Sequence, residues 1–184
     1  MIRNYVFIII FSLILNFTGS FIQYLHPFPL FLDTTGTMLS AILIGPWIGG
    51  LVGLLTNTLQ GIFHTPLSLP FGIVNLSIGL TTGYIVIYLK GFQRWYSPLV
   101  VGIITGLLAP LIAAPIVTYL FGGITTHGVD KFVVALVDSG SSILSSAFWG
   151  RLPYSFADKL ISAYIVFFLI KKLPTSNLQF GRKQ

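Results

Sequence analysis

Apolar residues run almost without a break over 5–25, 47–63, 69–89, 98–121 and 154–170, and the short stretches between them hold most of the charges. Each run is close to or above the roughly 17–25 residues a helix needs to cross a bilayer. A further run, 33–45, opens on Asp33 and three threonines and closes on Gly45-Pro46. From Thr34 to Gly45 it covers only about 18 Å at about 1.5 Å per residue, against a hydrocarbon core of about 30 Å. Gly45-Pro46 reads as a tight turn into the next helix, since a proline in the first turn has no hydrogen bond to lose. Asp33 stands where a carboxylate caps free N–H groups and meets the positive end of a helix dipole, or where it touches a ligand.

Composition turns these runs into a class. The chain is 54% hydrophobic and 8% charged, with a mean hydropathy of +0.90, so it lacks the polar surface a water-soluble fold requires. The expectation is an all-α integral membrane protein forming one membrane-embedded domain over 1–184. Residues 5–25 read as a first membrane helix rather than a cleaved signal, because no small-residue cleavage pattern follows them. There is no cysteine, which excludes disulfides and thiolate metal sites. The net charge of +6 forms no separate basic stripe, so it points to lipid headgroups and not to nucleic acid.

Lys and Arg orient the bundle, because basic residues flanking membrane helices stay in the cytoplasm. Six crossings, 5–25, 33–45, 47–63, 69–89, 98–121 and 154–172, place both termini and seven of the ten basic residues inside. Lys131, Arg151 and Lys159 then share the outer side with all four acids, Asp33, Asp130, Asp138 and Asp158. A seventh crossing over 131–152 would carry Lys171 and Lys172 outside, and Asp138 with its serines suits lipid poorly. That segment is expected to be an extra outer helix, or a pair of short ones, before the last helix.

Polar residues within the spans cluster toward the outer side: Thr56, Asn57, Thr58, Gln60 and His64 in the third, Asn75 and Ser77 in the fourth. Such groups are costly in a membrane unless they meet one another, water or a ligand, so they suggest a pocket opening outward. Glycines four apart (45, 49 and 53; 79 and 83; 102 and 106) let helix backbones approach, which reads as packing within the bundle. Pro110 and Pro115 predict a kink or a break in the fifth span. No enzyme signature is present: HGVD at 127–130 lacks the rest of a metal set, DSGSS at 138–142 is no nucleophile elbow, and no P-loop exists.

The order of motifs resembles something more specific. A short second helix entered through an outer Asp is followed by a Gly-Pro turn and a glycine-rich third helix ending in Leu-x-x-Asn57. A fourth helix carries Asn75-x-x-Ile-Gly-Leu, and a sixth begins DKLIS at 158 and ends KKLP at 171–174. Over about residues 5–174 this resembles the substrate-binding S component of an energy-coupling factor (ECF) vitamin transporter. The resemblance implies six helices with cytoplasmic termini in the plasma membrane, and capture of a vitamin or precursor from outside. It also implies import with a transmembrane coupling subunit and two cytoplasmic ATPases; the chain itself binds no cofactor, and ATP is used by the partners. Ser12-x-x-x-Asn16-x-x-x-Ser20 stands where members carry a small-residue docking stripe, with Asn16 larger and polar. The rivals are a stand-alone ion- or proton-coupled carrier using Asp33 or Asp138, and a membrane sensor module.

The pocket candidates are Asp33, Thr34 and Thr37, then Asn57, Gln60 and His64, then Asn75, and finally His127, Asp130, Asp158 and Lys159. By resemblance, Asn57, Asn75 and Lys159 are the first ligand contacts. Asp158 and Lys159 are adjacent on a helix and are expected to point apart, leaving Lys159 for an anion or for Asp33 or Asp130. Phe31, Phe63, Phe71, Trp149 and Tyr154 are candidates to stack on a ring.

Overall fold

The computed structural model describes residues 2–25, 30–125 and 130–172, and every regular element among them is helical. In chain order these are α1 (Ile2–Leu25), α2 (Thr35–Leu43), α3 (Pro46–Phe63), α4 (Gly72–Tyr88), α5 (Ser97–Phe121), α6 (Asp130–Asp138) and α7 (Ile143–Lys172). A 3₁₀ helix, Pro66–Phe71, leads directly into α4. Four stretches are long and apolar enough to cross a membrane: Asn4–Gln23, Pro66–Tyr88, Ser97–Phe121 and Ile143–Lys172.

The polarity of the bundle runs opposite to that of a water-soluble protein. Phe7, Phe11, Ile14, Leu51, Ile62 and Phe168 are exposed, while Ser12, Asn16, Thr37, Ser40, Thr56, Thr82 and Thr105 are fully buried. Apolar surface outside and polar groups inside are what a lipid environment selects, and of those buried here Asn16, Thr37, Ser40, Thr56 and Thr105 are hydrogen-bonded. Thr58 and Ser77 do lie on the exposed side, and each hydroxyl donates to the carbonyl four residues earlier, Leu54 and Ile73. That bond removes the cost of an open hydroxyl.

Every residue of α2 is buried. Its nine residues span about 14 Å, and because protein surrounds it on all sides it need not match the thickness of lipid. The turn to α3 forms as the sequence predicts. Gly45 has φ 138°, a region closed to side chains, and Pro46 occupies the first turn.

Glycine faces set the helix spacing. A Cβ at Gly79 of α4 would collide with the backbone of Gly49 and Gly50 in α3, and one at Gly36 of α2 with the backbone of Ser12 in α1. Between α5 and α7, Gly102 faces Leu160 and Gly106 faces Phe156. The stripes thus serve contacts within the chain, where close backbone approach supplies dispersion that lipid-like surroundings do not replace.

One boundary differs from expectation. The last helix begins at Ile143, not at 154, so 131–152 holds one short helix, α6, and the first ten residues of α7. Ser142 starts α7 by accepting the Ser145 N–H on its hydroxyl. Pro153, Pro110 and Pro115 all lie inside continuous helices. α5 ends on Gly122 at φ 64°, with the N–H of Gly123 bonding the Val117 carbonyl. α6 lies against α7, with Val133 buried beside Gly150 and Ala147.

Replacing Gly79 by Val forces α3 and α4 apart, and overpacking of this kind costs about 1–3 kcal/mol or more. Thermal unfolding in detergent is expected to show a clear loss for Gly79→Val and for Gly36→Val. Leu51→Val on the exposed face should stay within about 0.5 kcal/mol of the parent.

Candidate functional site

The C-terminal ends of α1 and α3, the N-terminal ends of α2 and α4, the middle of α5 and residues 151–159 of α7 meet around a cavity of about 530 Å³. That volume lies within the roughly 300–1,000 Å³ of small-molecule sites. Lys90, Arg94, Lys171 and Lys172 fall at the other ends of α4 and α7.

One wall depends on Asn16, which reaches from α1 across the N-terminus of α2. Its Oδ1 accepts the N–H groups of Gly36 at 2.7 Å and Thr37 at 3.3 Å. Its Nδ2 donates to the hydroxyls of Thr37 and Thr56, both at 2.9 Å. The residue before α2, Thr34, makes no side-chain cap, so the free N–H groups of this short buried helix are capped from a neighbouring helix. Asp33 is therefore not the cap: its carboxylate accepts from Asn75 Nδ2 at 3.5 Å and lies 3.8 Å from the Lys159 ammonium.

The opposite wall is one face of α7, where Arg151, Ser155, Asp158, Lys159 and Ser162 are buried. Asp158 accepts the Leu32 N–H at 2.7 Å and the Lys159 ammonium at 2.5 Å. Lys159 also donates to Thr34 Oγ1 at 3.1 Å, and Thr35 Oγ1 donates to Ser162 at 3.2 Å. These bonds hold Leu32 at φ 50°, a conformation that costs a non-glycine residue on the order of 1–3 kcal/mol. Asp158 and Lys159 thus pair instead of pointing apart, because a long lysine side chain curls back where a rigid one would diverge. Lys159 is engaged by two carboxylates and a hydroxyl.

Between the walls runs an amide chain. Asn75 Nδ2 donates to Asn57 Oδ1 at 2.5 Å, and Asn57 Nδ2 donates to the Ser68 carbonyl at 3.2 Å. Both partners of Asn75 Nδ2 are acceptors, which fixes the amide orientation. Gln60 donates to Ser20 at 2.5 Å. Toward α6, Arg151 Nη2 bonds Asp130 at 2.5 Å and Thr125 Oγ1 at 3.3 Å, and Asp130 also accepts the Thr125 N–H at 2.6 Å.

Eight expected site residues line the cavity: Asp33, Thr34, Asn57, Gln60, His64, Asn75, Asp158 and Lys159. Thr37 does not, because Asn16 draws its hydroxyl into the α1 contact. Asp130 stands behind Arg151 as its counter-ion, and His127 lies outside the described residues. Phe31 and Phe71 line the cavity, whereas Phe63 and Trp149 face outward and Tyr154 packs on Phe132. The stripe Ser12, Asn16 and Ser20 is not a surface for docking: the first two are fully buried, and Ser20 accepts from Gln60.

Arg151 and Ser155 were missed as site residues, although Arg151 was one of three basic residues without a cytoplasmic place. Asp138 is exposed at the end of α6, away from the cavity. Compared with known proteins, the chain matches no family model, no curated protein and no solved structure.

Asn16→Leu keeps the approximate volume and removes up to four hydrogen bonds, stranding two N–H groups. It is expected to cost about 2–4 kcal/mol, read as a lower thermal midpoint. Ser12 Oγ has no partner among the described residues, so Ser12→Ala on the same face should leave the midpoint unchanged.

Proposed function

We propose that this chain is the substrate-binding S component of an ECF-type importer, which captures a vitamin or vitamin precursor outside the cell. The observation that carries the reading is the cavity itself. It is sized for a small heterocyclic compound, lined by buried amides and charges, and placed at the helix ends opposite Lys90, Arg94, Lys171 and Lys172.

In this reading α1, α2, α3, α4, α5 and α7 are six crossings of the plasma membrane, with both termini cytoplasmic and α6 on the outer face. Basic residues at the inner ends then turn the cavity outward. α2, too short to count as a span by composition, crosses within the protein, where lipid does not set its length, and α3 turns Leu51, Leu55 and Ile62 outward while Thr56, Asn57 and Gln60 face inward. A chain without a nucleotide motif obtains energy from partners, namely a coupling subunit and two ATPases. With the Ser12–Asn16–Ser20 stripe turned inward, the coupling subunit docks on another face.

The purified chain should bind one water-soluble vitamin or precursor without ATP, giving about 2.7 kcal/mol of stabilisation at a hundredfold excess over Kd. A thermal-shift screen of that compound class reads this directly, and uptake into vesicles should need the partner subunits and ATP. Lack of response to every compound by folded protein would overturn the reading. So would uptake by the chain alone under a proton or sodium gradient.

A further inference from the structure

Two sets of hydrogen-bonding groups in the cavity are left unused by the fold. Asn75 Oδ1 is buried and has no partner among the described residues, while its Nδ2 is held by Asn57 and Asp33. Among the described residues the side-chain contacts of Asp33 beside it are two long ones, at 3.5 and 3.8 Å, and its side chain is 19% exposed against 6% for Lys159 and 0% for Asp158. Asp33 and Asn75 Oδ1 therefore present a pair of acceptors.

Arg151 Nη1 and Ser155 Oγ are likewise unpartnered among the described residues, and the two residues are 7% and 8% exposed. One helical turn apart on the buried face of α7, they present a pair of donors to the same cavity. Since Asp33 is tied to Lys159, and Arg151 precedes Lys159 by eight residues, the two pairs lie about 12 Å apart along the helix axis. Side chains reaching inward shorten the span a ligand must cover.

The charges around the cavity are unequal. Arg151 and Asp130 balance each other, whereas Asp33 and Asp158 share the single ammonium of Lys159. One carboxylate is left over where desolvation makes an uncompensated charge costly. An anionic ligand adds to that excess and a basic nitrogen offsets it.

We infer that the cavity takes a compact ligand with a basic nitrogen on Asp33 and Asn75 Oδ1, and an oxygen acceptor on Arg151 and Ser155. The class is an amine-bearing or amino-heterocyclic compound of zero or positive net charge. This rests on the importer reading above and names its substrate class. A simple anion lacking a basic nitrogen is rejected at Asp33.

The test uses the full chain in detergent with thiamine and pyridoxamine as basic-nitrogen probes and pantothenate and biotin as anions, followed by the full water-soluble vitamin panel. The tightest binder should carry a basic nitrogen. Asp33→Asn should weaken it by about tenfold or more, and Ser155→Ala by about three- to tenfold. Ser155→Ala removes only a hydroxyl without a partner, so its unliganded thermal midpoint should match the parent, which keeps the result readable if Asp33→Asn folds poorly. Tightest binding by pantothenate, biotin or another anion, or equal affinity in parent and Ser155→Ala, would overturn this inference alone. Silence across the whole panel would overturn the importer reading and this inference with it.

Discussion

The structure depends on how a nine-residue helix is held inside an apolar bundle. A helix of that length has nearly half its N–H groups at a free N-terminus, and within a membrane those groups need partners from the protein. Asn16 accepts two of them, Gly36 and Thr37, from α1, and the same amide donates to the Thr37 and Thr56 hydroxyls, so one side chain joins three helices. α1 is mostly apolar and outward-facing, and this amide, with the Gln60–Ser20 hydrogen bond, is its polar attachment to α2 and α3. Close approach of the backbones at Gly36 and Ser12 lets the short amide reach.

Once α2 is fixed at its N-terminus, Asp33 is released from capping and faces the cavity, and Thr34 and Thr35 turn toward α7. The ion cluster of Asp33, Asp158 and Lys159 then ties the α2 entrance to α7, while Arg151 and Asp130 tie α7 to the start of α6. Both clusters lie at the helix ends away from Lys171 and Lys172. The polar groups that the fold satisfies hold the walls, while Asn75 Oδ1, Arg151 Nη1 and Ser155 Oγ, on residues that line the cavity, have no partner among the described residues.

Much of this was legible from polarity alone. Membrane character, the Gly45-Pro46 turn and eight cavity residues follow from where polar residues interrupt apolar runs, because such interruptions must converge to be tolerated. The glycine stripes were read as internal packing, and Gly79 against Gly49 and Gly50 is an instance. What was not legible needed partners distant in sequence. No local pattern reveals that Asn16 caps α2 from another helix, and a stripe spaced for docking looks the same whether it faces in or out. The last helix was expected to start at 154 and starts at Ile143, eleven residues earlier, which hid Arg151 on the face of α7 that carries Asp158.

The central claim is that these groups form a cavity open to the outside of the cell, and site-directed thiol labelling tests it most directly. With no native cysteine, Ser68→Cys at the cavity lining and Lys90→Cys at the opposite end each place a single thiol in the chain. In intact cells a membrane-impermeant maleimide should label Ser68→Cys, and it should reach Lys90→Cys only after permeabilisation. The reverse pattern, with Lys90→Cys labelled from outside and Ser68→Cys protected until the membrane is opened, would contradict the account.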